Sequence, residues 1–172
     1  MRIGVIADTH GLLRPEASSF LRGADHIVHA GDIGAAAILA ELAVLAPVLA
    51  VRGNNDVGAW AARLPEALAV ELDGLECYVI HDRSDLSRHP APSGTQVVLM
   101  GHSHRPLLQA EGGTLYMNPG SAGRRRFKLP IAIGEVLIEE RAIEARIIDL
   151  ASRQLLASRR GTRPRDRSHI NW

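Results

Sequence analysis

The chain has 172 residues, 46% hydrophobic but only 3% aromatic, with a formal net charge of +1. That length suits one domain whose core is built from Ala, Leu, Val and Ile rather than rings, and the charge balance points to no strongly charged partner. The single cysteine, Cys77, cannot form an intrachain disulfide and sits in an apolar run, where a buried thiol is expected.

Residues 2–8 read as a strand buried on both faces, because the run barely alternates. Asp8 and His10 interrupt this apolar segment, so no signal peptide is expected. A short helix follows from Pro15 to Leu21, opened by proline and ended by Gly23. The second strand is 26–30. Ile33 to Leu45 reads as a helix stopped by Pro47, and the third strand is 48–52. The region from Ala35 to Val51 is broken by Glu41 and Pro47, which argues against a membrane span. A cytoplasmic setting is the expectation. Strand, helix, strand, helix, strand implies a partly parallel sheet with right-handed crossovers.

Hairpins come next. Ala67–Leu72 and Glu76–Ile80 flank Asp73-Gly74. Residues 82–95 form a polar loop with a helical turn, and 96–100 is a central strand. Leu107–Ala110 and Thr114–Met117 flank Glu111-Gly112-Gly113, and 131–138 and 142–149 flank Glu139-Glu140-Arg141. Asn118-Pro119-Gly120-Ser121 is a tight turn. The expected architecture is two packed sheets with helices outside, in one domain over 1–157. Residues 158–172 form a basic tail with five arginines against Asp166, net +4, which leaves the rest of the chain at −3.

Five apolar runs end in the same chemistry. They lead into Asp8-Thr9-His10, Gly31-Asp32, Gly53-Asn54-Asn55-Asp56, His81 and Gly101-His102-Ser103-His104. One sheet edge therefore receives oxygen and imidazole donors, a mix that suits borderline divalent metals. Two such ions about 3.5–4 Å apart would bind a phosphate and a hydroxide together, and the hydroxide would attack phosphorus in line with the leaving oxygen.

These motifs taken together resemble the calcineurin-like metallophosphoesterases. The compact size and Asn118-Pro119-Gly120-Ser121 resemble its small bacterial and archaeal phosphodiesterase branch, to which the retromer scaffold subunit also belongs. The resemblance covers residues 1–150 and implies a four-layer α/β/β/α sandwich. It implies that Asp8, His10, Asp32 and His104 hold one metal and that Asp32, Asn54, His81 and His102 hold the other. Asp32 is then the bridge, and Asp32, Asn54 and His10 carry the catalytic part. It also implies a phosphodiesterase with two divalent ions, Mn²⁺ before Fe²⁺ or Zn²⁺, acting on a small phosphodiester.

Two positions depart from the family pattern. Asn55 stands where many members have a leaving-group histidine, and an amide cannot serve as a general acid. Asp82 follows His81 where glycine is usual. Around the ligands, His29 is expected to be a buried supporting histidine. Asp56 either orients a ligand histidine or forms a turn. Ser121, Arg124 and Arg125 are the substrate-binding candidates, within a basic run that includes Arg126 and Lys128. Trp60, Leu64 and Pro65 suggest an exposed lip or a homodimer contact. The rival readings are a non-catalytic scaffold of the same fold and a nuclease that uses the basic tail on nucleic acid.

Overall fold

The computed structural model describes residues 1–140, 142–162 and 169–172. Two sheets face each other. The six-stranded sheet has the order β11-β10-β9-β1-β2-β3, and the five-stranded sheet the order β4-β5-β6-β8-β7. The first contains β1 (Arg2–Ile6), β2 (His26–His29), β3 (Val48–Ala50), β9 (Ala132–Glu139), β10 (Ala142–Asp149) and β11 (Leu155–Thr162). The second contains β4 (Ala67–Leu72), β5 (Leu75–Ile80), β6 (Val97–Leu99), β7 (Leu107–Glu111) and β8 (Thr114–Asn118). β1, β2 and β3 run parallel, as do β5, β6 and β8. The expected hairpins are all present, and β6 is central in its sheet.

Side chains sort by alternation. Ile3, Val5, Val28, Cys77, Val79, Val97, Leu99, Leu115 and Met117 meet between the sheets. Burial there pushes the Cys77 thiol up to about 12, so it behaves as a small apolar group. The opposite face of the six-stranded sheet carries Ile6, Ile27, Ile33 and Ile133, packed under α1 (Pro15–Leu21) and α2 (Ala36–Ala43) through Leu21, Ile38 and Leu42. Gly4 lets α1 approach the sheet, because an added Cβ would fall 2.3 Å from Leu21 Cδ2. Outside the five-stranded sheet, Tyr78, Ile80 and Val98 lie beneath Leu86 of a 3₁₀ turn, Arg83–Ser87. The layers are therefore α/β/β/α, with the fourth reduced to that turn and its flanking loop.

Three differences from the sequence reading have physical causes. The helix expected over Ile33–Leu45 is shorter, Ala36–Ala43. Ile33 is drawn into the core and Gly34 adopts φ +85°, leaving a loop between β2 and α2. Trp60 and Leu64 are half-buried against the α2 core, where they pack rather than form a free lip. The chain also does not leave the fold at residue 158. β11 crosses that boundary and pairs with β10 along Ala142–Ile148. Arg163, Arg165, Asp166 and Arg167 of the expected tail lie outside the described residues. Beyond them Ile170 is buried in the core between the sheets, and Trp172 Nε1 donates to the Gln96 carbonyl at 3.2 Å. No helix among the described residues is long and apolar enough to cross a membrane.

If Ile170 anchors the C-terminal residues, Ile170→Ala should lower unfolding free energy by about 2 kcal/mol or more. Urea denaturation measures this, and a change below about 0.5 kcal/mol, the level of an ordinary surface substitution, would show that the contact is dispensable.

Candidate metal centre

The parallel strands of both sheets point their carboxyl ends at one rim. Open α/β sheets place their ligand sites at such ends. β1 delivers Asp8 and His10, β2 delivers Asp32, and the chain after β3 delivers Asn54. From the other sheet, β5 delivers His81 and β6 delivers His102 and His104. The rim spans the seam between the sheets, so neither sheet forms it alone.

The backbone here is unusual. Asp8 (φ 54°), His10 (46°), Asp32 (54°), His102 (66°) and His104 (58°) all lie in the left-handed region. Residues with a Cβ seldom adopt it, at a cost of about 1–3 kcal/mol each. The turns are held by cross-links. Asp8 N donates to Gly31 O at 3.0 Å, His10 N to Asp32 O at 2.9 Å, and Gly101 N to His81 O at 2.9 Å. Asp56 accepts from Gly34 N at 2.7 Å and Gly53 N at 2.8 Å, tying the loops after β2 and β3 together. Its role is therefore to tie turns, and it does not orient a ligand histidine. Gly31 and Gly53 allow close approach. An added Cβ would fall 2.5 Å from His81 Nδ1 at the first and 2.2 Å from Asp32 Oδ1 at the second.

Two clusters of donor atoms result. In the first, His104 Nε2 lies 3.4 Å from Asp8 Oδ1, and His10 Nε2 lies 3.3 Å from His104 Nε2 and 3.7 Å from Asp32 Oδ2. In the second, His81 Nε2 lies 3.4 Å from Asp32 Oδ1 and 3.1 Å from Asn54 Oδ1. His102 Nδ1 lies 3.0 Å from that same Asn54 oxygen. Asp8, His10 and His104 form one compact triad, and Asp8, Asp32 and His81 form another, with ligand atoms within 4.8 Å of one another in each. The Asp32 carboxylate turns one oxygen to each cluster.

The electrostatics fit cations. Both Asp8 carboxylate oxygens are buried without a hydrogen-bond partner. Buried carboxylates normally find donors, so a set of acceptors facing one point suits a positive ion. His81 Nδ1 donates to Ala30 O at 2.7 Å, which leaves Nε2 of the neutral ring bare toward Asp32 and Asn54. Protons compete for the same positions. Burial, with the nearby Asp32 charge, pushes Asp8 up to about 7. Burial pulls His81 down, but the Asp32 hydrogen bond and the Ala30 carbonyl outweigh it and raise the group overall. Burial, then the Arg126 charge, brings His104 down to about 4, and burial likewise lowers His10, so both rings offer lone pairs at neutral pH. Burial would raise Asp32, yet the His81 ring, when it is protonated, and both nitrogens of Asn55 hold it well below the usual carboxylate range.

The surrounding residues take definite parts. Thr9 Oγ1 donates to Ile33 O at 2.9 Å, so His29 Nε2, 2.9 Å away, must donate to Thr9. Burial brings His29 down to about 3, and as a neutral ring it props the turn that carries Asp8 and His10. Asp82 does not distort its loop. One oxygen accepts from Ser84 N at 2.9 Å and caps the 3₁₀ turn, while the other lies 3.4 Å from His102 Nε2. That fixes the proton on Nε2 and turns Nδ1 toward Asn54.

The three substrate-binding candidates stand differently. Ser121 is buried and its hydroxyl donates to Asp8 O at 2.9 Å, so it supports the turn and does not face the rim. Arg124, Arg125 and Arg126 are all exposed, and it is Arg126 whose Nη2 comes to 3.4 Å from His10 Nε2. Asn118 has a part that its turn-like sequence hid. Its side chain donates to Gly101 O and Ser103 Oγ and accepts from Gly120 N, locking the turn that carries both histidines. Beside the second cluster lies an open groove of about 550 Å³, lined by Arg52, Glu66, Asp82, Asp85, Arg88 and His89.

Comparison with known proteins agrees with this geometry. Residues 1–140 match the calcineurin-like phosphoesterase superfamily domain. The chain belongs to that family. A probable metallophosphoesterase of Methanothermobacter thermautotrophicus is 32% identical over 160 residues, covering 86% of this chain and 92% of the relative. A phosphodiesterase of Methanocaldococcus jannaschii is 27% identical over 139 residues, covering 70% of this chain and 83% of the relative. Among solved structures, Vacuolar Protein Sorting 29 from Cryptosporidium parvum superposes with a TM-score of 0.80 at 15% identity, covering 94% of this chain and 98% of that one. The last likeness is one of fold. The chain keeps seven candidate ligands at its rim, and three of them, His10, His81 and His102, lie within reach of Asp32 or Asn54.

Gly53→Ala should weaken divalent-metal binding by about tenfold or more, because its methyl group would fall 2.1 Å from Asp32 N and 2.2 Å from Asp32 Oδ1 and so shift the turn that carries this carboxylate. Calorimetric titration with Mn²⁺ measures this. Unchanged affinity in a folded variant would show that this contact does not hold Asp32.

Proposed function

We propose that the chain is a two-metal phosphodiesterase. The carrying observation is the Asp32 carboxylate, whose Oδ2 lies 3.7 Å from His10 Nε2 and whose Oδ1 lies 3.4 Å from His81 Nε2. Asp8, His10, Asp32 and His104 would hold one divalent ion, and Asp32, Asn54, His81 and His102 the other. Mn²⁺, Fe²⁺ and Zn²⁺ all suit imidazole, carboxylate and amide oxygen donors, and Mn²⁺ is the ion to test first. Bound ions of this kind activate water at neutral pH and offset charge on phosphoryl oxygens.

The chain's own residues shape the rest. His10, Asn54 and Asp32 set where the reacting phosphate sits between the clusters. Arg126 stands beside His10 and supplies a fixed positive charge to a non-bridging phosphoryl oxygen. Asn55 turns its amide onto Asp32 Oδ2 at 2.6 Å. It steadies that carboxylate but has no proton to give a departing alkoxide. Diesters with acidic leaving groups are therefore the favoured reporters, and rate should depend steeply on leaving-group pKa.

The intact ligand set favours this reading over a non-catalytic scaffold. It also fares better than a nuclease built on the C-terminal arginines. Arg160 is paired with Glu144 at 3.2 Å, and Arg159 Nη2 donates to the Trp172 carbonyl. Both lie on the sheet edge opposite β3.

The chelated protein should regain hydrolysis of bis(p-nitrophenyl) phosphate on addition of Mn²⁺, with slower turnover of the monoester. Asp32→Asn should lose at least about 10²-fold in kcat. Metal binding without diester turnover would overturn the general phosphodiesterase reading. Across aryl diesters, Asn55→His should flatten the dependence of kcat on leaving-group pKa and speed the poorest leaving groups by about tenfold or more. An unaltered slope would show that the position is not near the leaving oxygen.

A further inference from the structure

Nine residues other than glycine have a positive φ among the described residues. Five are candidate ligands, and Asp73, Glu140 and Arg153 sit in hairpin turns. The ninth is Phe127 (φ 53°), the most exposed large apolar side chain, at 92%. A bulky ring in left-handed backbone is costly, and so is leaving it in water. Such strain concentrates where a residue is presented to a ligand.

The surroundings of Phe127 suggest which ligand. It sits in the run Arg124-Arg125-Arg126-Phe127-Lys128, one ring flanked in sequence by four cations. The loop is rooted on the metal centre. Gly123 packs so closely under the Asp8–His10 turn that an added Cβ would fall 2.3 Å from Thr9 O. Arg14 Nε donates to Gly123 O at 2.9 Å, and Leu129 N closes a turn onto Arg126 O at 3.2 Å. Arg126, beside Phe127 in the chain, reaches His10. An aromatic platform among cations that follow a phosphate is the combination that binds unpaired nucleobases. One exposed ring in a basic run is not an apolar patch of the size that protein docking needs.

We propose that the 124–128 loop is a nucleoside-recognition rim, in which Phe127 stacks on an unpaired base while Arg126 meets the phosphodiester. The substrate class is then nucleotidyl phosphodiesters with a free base beside the scissile phosphate. This rests on the phosphodiesterase reading above and narrows it.

The test compares thymidine 5′-(p-nitrophenyl phosphate) with methyl p-nitrophenyl phosphate, which share a leaving group and differ in the nucleoside. The wild-type, Mn²⁺-loaded protein should favour the thymidine ester in kcat/KM by about tenfold. Phe127→Ala should bring the ratio close to one, and Phe127→Tyr should retain it. No preference in the wild type, or equal losses on both esters in Phe127→Ala, would overturn the proposal. Calorimetric binding of 5′-AMP and ribose 5-phosphate reads the same preference without turnover. Tighter AMP binding that needs Phe127, in a protein that hydrolyses neither ester, would sink the hydrolase reading and leave the rim standing. Equal affinities would overturn the rim. Phe127-dependent pelleting with phosphatidylserine vesicles, without base preference, would assign the loop to a membrane surface and also overturn it.

Discussion

The structure depends on bringing two carboxylates and their histidines to one place without giving Asp8 a hydrogen-bond donor. Asp8 and Asp32 are near neighbours in space yet stand in opposite conditions. Asp32 receives two nitrogens from Asn55 and faces His81, which keeps it ionised. Both oxygens of Asp8 are buried and unpartnered, which raises it to about 7. A divalent ion held by these residues would supply the charge that the protein withholds. Much of the surrounding backbone is explained by the need to hold this arrangement before any ion arrives.

That need accounts for where the strain lies. Five ligand positions take left-handed backbone because a strand end must turn sharply to aim its side chain back over the rim. Nothing local favours those conformations. They are over-determined by the bonds among the Asp8, Asp32 and His81 loops, by Asp56 across two turns, by Ser121 and His29 behind the first turn and by Asn118 behind the last. The sheets supply the rest of the restraint. Parallel strands from both end at the seam, and the core between them fixes their relative position. Small shifts in packing at the seam would therefore alter the distance between the two ligand clusters.

The rim is asymmetric, and this bears on substrates. The first cluster is overlooked by the basic loop 124–128. The second opens on a groove in which Glu66, Asp82 and Asp85 alternate with Arg52 and Arg88, several of them already paired. A ligand at the rim would meet a run of cations on the first side and mixed charge on the second. Asn55 adds a chemical constraint at the same place, because its amide is committed to Asp32 Oδ2 and an amide cannot act as a general acid.

The sequence by itself determined every strand but β11, the three hairpins it expected, the family and the seven candidate ligands. Apolar runs and the residues that end them are one-dimensional patterns, and each ligand directly follows such a run. Only tertiary structure decided the choices made between distant segments. Within Arg124-Arg125-Arg126 the sequence singles out the first two, and the loop's path over the Asp8–His10 turn brings Arg126 to His10 instead. Ser121 looks equally suited to phosphate and to a turn, and burial against Asp8 O settles it. Asp82 gains a purpose because His102 comes from another strand. The residues after 158 look like a polar tail until the free edge of β10 and the pocket for Ile170 exist to receive them. In each case the deciding partner lies far along the chain, and only the packed sheets bring it within a few ångströms.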